Sequence, residues 1–93
     1  ALSLSQQKSI SYIVRGDTLM EHEHQEEYRK LGLNISYYRK ASGLSQIQLA
    51  DKIDISRTHM SRIENSDCAV SLDVVFRIAK ALNVPVCKLF EFR

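Results

Sequence analysis

Cysteine is scarce in this sequence. Only Cys68 and Cys87 are present, 19 positions apart, with no CxxC pair and no Cys/His cluster beside them. A structural zinc site needs about four ligands at clustered spacing, so no metal is expected. Cys87 stands among apolar neighbours and is expected to be buried as a small hydrophobic side chain. Cys68 is expected in an exposed loop, the place a redox-sensing thiol would take. Glycine is almost as rare, with three residues, none clustered into a loop that would cradle a phosphate. No nucleophile–base pair stands out, and neither an enzyme nor a cofactor is expected. No apolar run approaches the roughly 18 to 20 residues of a membrane span. Residues 1–8 lack the charged-then-apolar layout of a signal peptide. A soluble, cytoplasmic protein with no membrane partner is the expectation.

The 93 residues are 44% hydrophobic, enough for one compact core. A net charge of +2 conceals an asymmetry. Residues 1–27 carry two basic and five acidic side chains, net −3. Residues 28–93 carry eleven basic and six acidic ones, net +5. The division falls there: an N-terminal extension, 1–27, and a folded unit, 28–93. A basic folded unit is attracted to phosphate backbones, which makes nucleic acid a reasonable partner.

Residues 9–15 are rich in β-branched and aromatic types, and one short strand is predicted, closed by Gly16-Asp17. A lone strand is unstable, so it needs a partner in the chain or in a second copy. Thr18 with Glu21 fits a capping box. A helix from there either runs on to about Ala41 or breaks near Gly32. Leu31, Ile35 and Tyr38 give it a core-facing stripe, and Gly43 supplies a left-handed C-terminal cap. Four shorter helices are predicted next. Ser45 caps Gln46 to Ile53, Ser56 caps Arg57 to Asn65, and Ser71 caps Leu72 to Leu82. Pro85 opens the last, Val86 to Glu91. On the helix from Leu72, the expected buried stripe is Leu72, Val75, Ile78, Ala79 and Leu82. Leu89 and Phe90 are expected to cap the core. The fold class is therefore all-α, five helices, with a short strand in the extension.

The informative segment is Gln46 to Asn65. Two short helices meet there across a turn of about three residues. Ala50 is small enough to let them cross closely, and Ile53 and Ile55 bracket the turn. Met60 and Ile63, three apart, bury one side of the second helix. Its outer side then carries Arg57, Thr58, Ser61 and Arg62, with His59 at the margin. A packed helix that shows water a donor-rich face is what readout of a major groove requires.

This segment resembles the phage-repressor (Cro and repressor-like, xenobiotic-response-element) helix-turn-helix family. The resemblance covers about residues 31–90. It rests on Leu31-Gly32, Ile35, Arg39, Gly43-Leu44-Ser45-Gln46, Leu49-Ala50, Ser61, Ile63-Glu64, Ser71-Leu72, Ile78-Ala79, Ala81-Leu82, Val84-Pro85 and Leu89-Phe90. It implies a transcriptional regulator, of repressor type, that binds double-stranded DNA at an inverted repeat as a homodimer. Arg57, Thr58 and Arg62 take the positions that face base edges, with Ser61 beside them. Gln46 takes the position that contacts a phosphate or assists a base contact. Ser56, His59 and Asn65 stand where phosphate contacts are common. Arg39 and Glu64 match a salt bridge that ties the first helix to the recognition helix. Two positions that are often glycine in the family are Asp54 and Ser66 here, so the turn at Asp54 is expected to carry a small strain, and the loop Ser66-Asp67-Cys68-Ala69 is expected to differ in detail, with its backbone phosphate contacts.

Other features have plainer readings. His22 and His24 point apart on a helix, a poor metal site. Tyr37 and Tyr38 are adjacent, so Tyr38 is assigned to the core and Tyr37 to the surface. Phe92 is expected to be exposed and available to a dimer contact, as is the strand at 9–15. The alternative function on the same scaffold is an antitoxin or other protein-binding module, whose partner would be a toxin or co-regulator facing the acidic segment Asp17 to Glu27. That segment is also placed to fold back on the basic recognition face.

Overall fold

The computed structural model describes residues 24–92. The strand predicted at 9–15 and the Thr18 cap lie outside the described residues. Within them the chain forms five helices: α1 (Gln25–Ala41), α2 (Gln46–Ile53), α3 (Arg57–Glu64), α4 (Leu72–Leu82) and α5 (Val86–Leu89). None is long and apolar enough to cross a membrane.

Local chemistry starts each of the three middle helices. The Ser45 hydroxyl accepts from the Gln48 backbone N–H at 3.1 Å, and the Gln48 side chain accepts from the Ser45 N–H at 2.8 Å. This reciprocal box satisfies two donors that the first turn leaves without partners. The Ser56 hydroxyl caps α3 through the His59 N–H at 3.0 Å, and Ser71 caps α4 through the Val74 N–H at 3.2 Å. Pro85, at φ −60°, stands at the N-cap of α5.

Four helices end in the same way. Gly43, Asp54, Ser66 and Asn83 all sit in the left-handed region, with φ of 75°, 61°, 56° and 57°. At each one two backbone bonds close the helix, for example Gly43 N–H to Lys40 and Leu44 N–H to Arg39. This is the Schellman arrangement, and it satisfies carbonyls that have no partner inside the helix. Glycine fills it once. The other three positions are short polar side chains, which tolerate this backbone at a modest cost.

The core is built from all five helices: Leu31 and Ile35; Leu49, Ala50 and Ile53; Met60 and Ile63; Val75, Ile78, Ala79 and Leu82; and Leu89. Gly32 does not break α1. It is buried where α1 crosses the end of α3, against the Ile63 and Glu64 carbonyls.

The structure corrects four expectations. Leu72 is 62% exposed, because it stands at the first position of α4, outside the turns that the other helices cover. α5 ends at Leu89 rather than Glu91. In a helix of one turn Leu89 alone is fully buried, so Phe90 falls past its end and is 42% exposed. Cys87 lies on the outer side of the same turn and is exposed.

Candidate nucleic-acid interface

The candidate recognition surface follows from the phase of α3. Met60, Ile63 and Glu64 are buried. At 100° per residue this turns Arg57, Thr58, Ser61 and Arg62 outward together. Arg57 and Thr58 are exposed, and Ser61, Arg62 and His59 are half-buried. Among the described residues, neither Arg57 nor Arg62 takes part in an ion pair or a side-chain hydrogen bond. Two guanidinium groups and two hydroxyls are thus displayed on a rigid helix with their donors unspent. Arg is suited to the O6/N7 edge of guanine, and a hydroxyl can meet either kind of edge.

The neighbouring polar groups are partly committed. Ser56 uses its oxygen as the cap of α3, which leaves its O–H as a donor. The Asn65 amide donates to Ser61 Oγ at 3.4 Å, a long contact one turn back. Gln46, at the start of α2, donates from Nε2 to Glu64 Oε1 at 3.1 Å.

Glu64 itself is clamped by Arg39. Arg39 Nε donates to Oε2 at 2.7 Å and Nη2 to Oε1 at 3.0 Å. Both side chains are buried, at 9% and 4% exposure. Arg39 Nη1 also holds the Leu44 carbonyl at 2.7 Å, one residue before the cap of α2. A buried pair of this kind costs on the order of 3 kcal/mol to break from one side. Its effect is to lock α1, the start of α2 and the end of α3 into one body.

The sequence reading missed three parts of this arrangement. Gly32, already visible as a glycine inside a helical pattern, permits the close crossing of α1 and α3. Gln25 Nε2 donates to the Ser66 carbonyl and hydroxyl, both at 3.2 Å, and steadies the loop after α3. The Gln46–Glu64 contact joins residues 18 apart and has no sequence signal. The loop at Cys68 also differs from expectation. Cys68 is half-buried against the core, and burial pushes its thiol above the ordinary range, against the pull of Arg62 and with the help of Asp67.

The family model for helix-turn-helix matches residues 35–89, more than half of the chain. The chain belongs to this family, of the Cro and repressor type, and is a DNA-binding transcription regulator. Among curated relatives, control protein C.SmaI of Serratia marcescens is 39% identical over 59 residues, spanning 63% of this chain and 70% of that one. Antitoxin PezA of Streptococcus pneumoniae is 37% identical over 54 residues, spanning 58% of this chain and 34% of that one. Among solved structures, the restriction-modification controller protein C.AhdI from Aeromonas hydrophila superposes with a TM-score of 0.71 at 32% identity. That match takes in 74% of this chain and 100% of the other.

Proposed function

We propose that this chain is a controller-type regulator that acts from the cytoplasm as a homodimer on an inverted-repeat DNA site, with repression as its principal effect. The observation that carries the reading is the pair of guanidinium groups, Arg57 and Arg62, unpartnered among the described residues and displayed with Thr58 and Ser61 on one face of α3. In this reading α3 lies in the major groove, and Arg57, Thr58, Ser61 and Arg62 meet base edges. Ser56, His59 and Asn65 flank them near the sugar–phosphate backbone, and Gln46 stands at the edge of the set, where it contacts a phosphate or assists a base contact. Half-sites lie roughly 34 Å apart, one duplex turn. The likeness to C.SmaI and C.AhdI supports the controller role.

An apolar surface away from α3 supports the dimer. Leu72 and Phe76, one turn apart on α4, are 62% and 52% exposed. Leu72, Phe90 and Phe92, with Tyr28, Val70 and Val75, line an open groove of about 290 Å³. Exposed apolar area of this kind on a small domain fits a two-fold contact. It offers a dimer contact independent of the strand expected at 9–15.

Selection of random duplex DNA by the purified chain, at two salt concentrations, tests the proposal. The expected result is a palindromic motif that Arg57→Ala with Arg62→Ala loses. If no motif emerges and weak binding vanishes with salt, only phosphates are contacted and the reading fails. The likeness to antitoxin PezA favours a second reading, in which the scaffold also holds a protein partner. A second protein that co-purifies in fixed stoichiometry would support it.

A further inference from the structure

We infer that Glu64 is a positioning residue for DNA recognition, acting through the side-chain amide of Gln46; the inference rests on the DNA-reading role proposed above. The Glu64 carboxylate is held fast from one side. Arg39 holds both of its oxygens in a bidentate fork, and a third bond from Arg39 to the Leu44 carbonyl fixes the start of α2 to the same group. Glu64 therefore has no freedom to follow Gln46. Gln46 must follow Glu64.

An amide has two unlike ends, a carbonyl that accepts and an NH2 that donates twice. A carboxylate only accepts. With Nε2 toward Glu64, as observed at 3.1 Å, the contact is attractive. With the amide turned over, Oε1 would face a carboxylate oxygen and the contact would be repulsive. The buried charge therefore selects one of the two amide orientations. One N–H is spent inward, and Oε1 with the remaining N–H is left to be presented. That acceptor–donor pair matches the N6–H and N7 of adenine, which glutamine can meet bidentately. A phosphate can use only the N–H of that pair and leaves the acceptor without a partner.

The location fits such a use. Arg57, Ser61 and Glu64 recur at i, i+4 and i+7, so they form one stripe of α3. Gln46 bonds to the buried end of that stripe and is itself half-buried, which places its amide against Glu64, one turn along α3 from Ser61.

The test uses the duplex that the wild-type chain selects from the random pool. Binding is measured for wild type, Gln46→Ala, Glu64→Gln and the double variant, against that duplex and against single base-pair changes in it. Each single variant is expected to weaken binding roughly tenfold and to erase preference at the same A·T pair. The double variant is expected to bind no worse than the weaker single one. A merely structural Glu64 would lower affinity equally at every position and would add to Gln46→Ala; that result would overturn the inference while the selected motif kept the proposed function standing. If wild type selected no motif, the proposed function would fall and the inference with it. Should Glu64→Gln unfold the chain, NMR of the wild-type Gln46 amide supplies the answer. One Nε2 proton slowed in solvent exchange relative to the exposed Gln48 supports the inference, and two protons exchanging like those of Gln48 overturn it.

Discussion

Replacing Gly32 by alanine probes the joint on which α3 is mounted. A Cβ at position 32 would lie 2.5 Å from the Glu64 carbonyl oxygen, 2.8 Å from that of Ile63 and 3.0 Å from the Glu64 carbonyl carbon. Carbon–oxygen contacts ordinarily stay beyond about 3.3 Å. The atoms met are backbone at the last turn of α3, so no side chain can swing aside. Relief requires α1 to move off α3, and the same two helices are joined by the 2.7 Å Arg39–Glu64 pair two turns further along α1. Two effects compete. Alanine is the better helix former by about 1 kcal/mol. Overpacking a tight crossing costs about 1 to 3 kcal/mol, and stretching a buried ion pair pushes the cost to the upper end. The crossing wins, and the net loss is about 1 to 2 kcal/mol. For a domain of this size that lowers Tm by roughly 4 to 16 °C. Thermal melts followed by circular dichroism would measure it, with Gly43→Ala as the comparison. Gly43 has open space around it but a φ of 75°, so its cost is purely conformational, about 1 kcal/mol. A Gly32→Ala chain that melts at or above wild type would refute the close-crossing argument.

Two further outcomes follow from the helix ends and the thiols. Asp54→Gly relieves a left-handed backbone at an exposed position and should raise Tm by a few degrees; a lower Tm would mean that the Asp54 side chain contributes more than its conformation costs. Folding favours the protonated Cys68 thiol, because burial raises its pKa. That contribution to stability is present below the ordinary thiol range and is lost as pH rises through the raised value. At pH 7.5, therefore, iodoacetamide should modify exposed Cys87 before Cys68, and Cys68 should react faster only at higher pH. Preferential labelling of Cys68 at neutral pH would contradict this and restore the redox-sensing reading.

Much of the fold is legible in the sequence because it is set over short spans. A serine cap acts on an N–H three residues away, so Ser45, Ser56 and Ser71 announce their helices without reference to anything else. The 3.6-residue period turns Met60 and Ile63 inward, and with them Arg57, Thr58, Ser61 and Arg62 outward. The family resemblance rests on the same local spacings, and the Arg39–Glu64 bridge came from it rather than from any periodicity. Helix ends were less legible. Gly43 was readable from its residue type and Asp54 and Ser66 from the family pattern, whereas Asn83 adopts the same backbone unannounced.

The sequence by itself therefore determined the helices, their capped starts and the outward face of α3, since each depends on bonds and angles within a few residues. Only the tertiary structure decided what meets across them: that Gly32 rests on the carbonyls of Ile63 and Glu64, that Gln46 is tied to a carboxylate 18 residues away, and that Leu72, Phe90 and Cys87 stay at the surface. Burial and polar contact between distant segments depend on which helices come to lie against each other and where each one ends, and no local spacing carries that information.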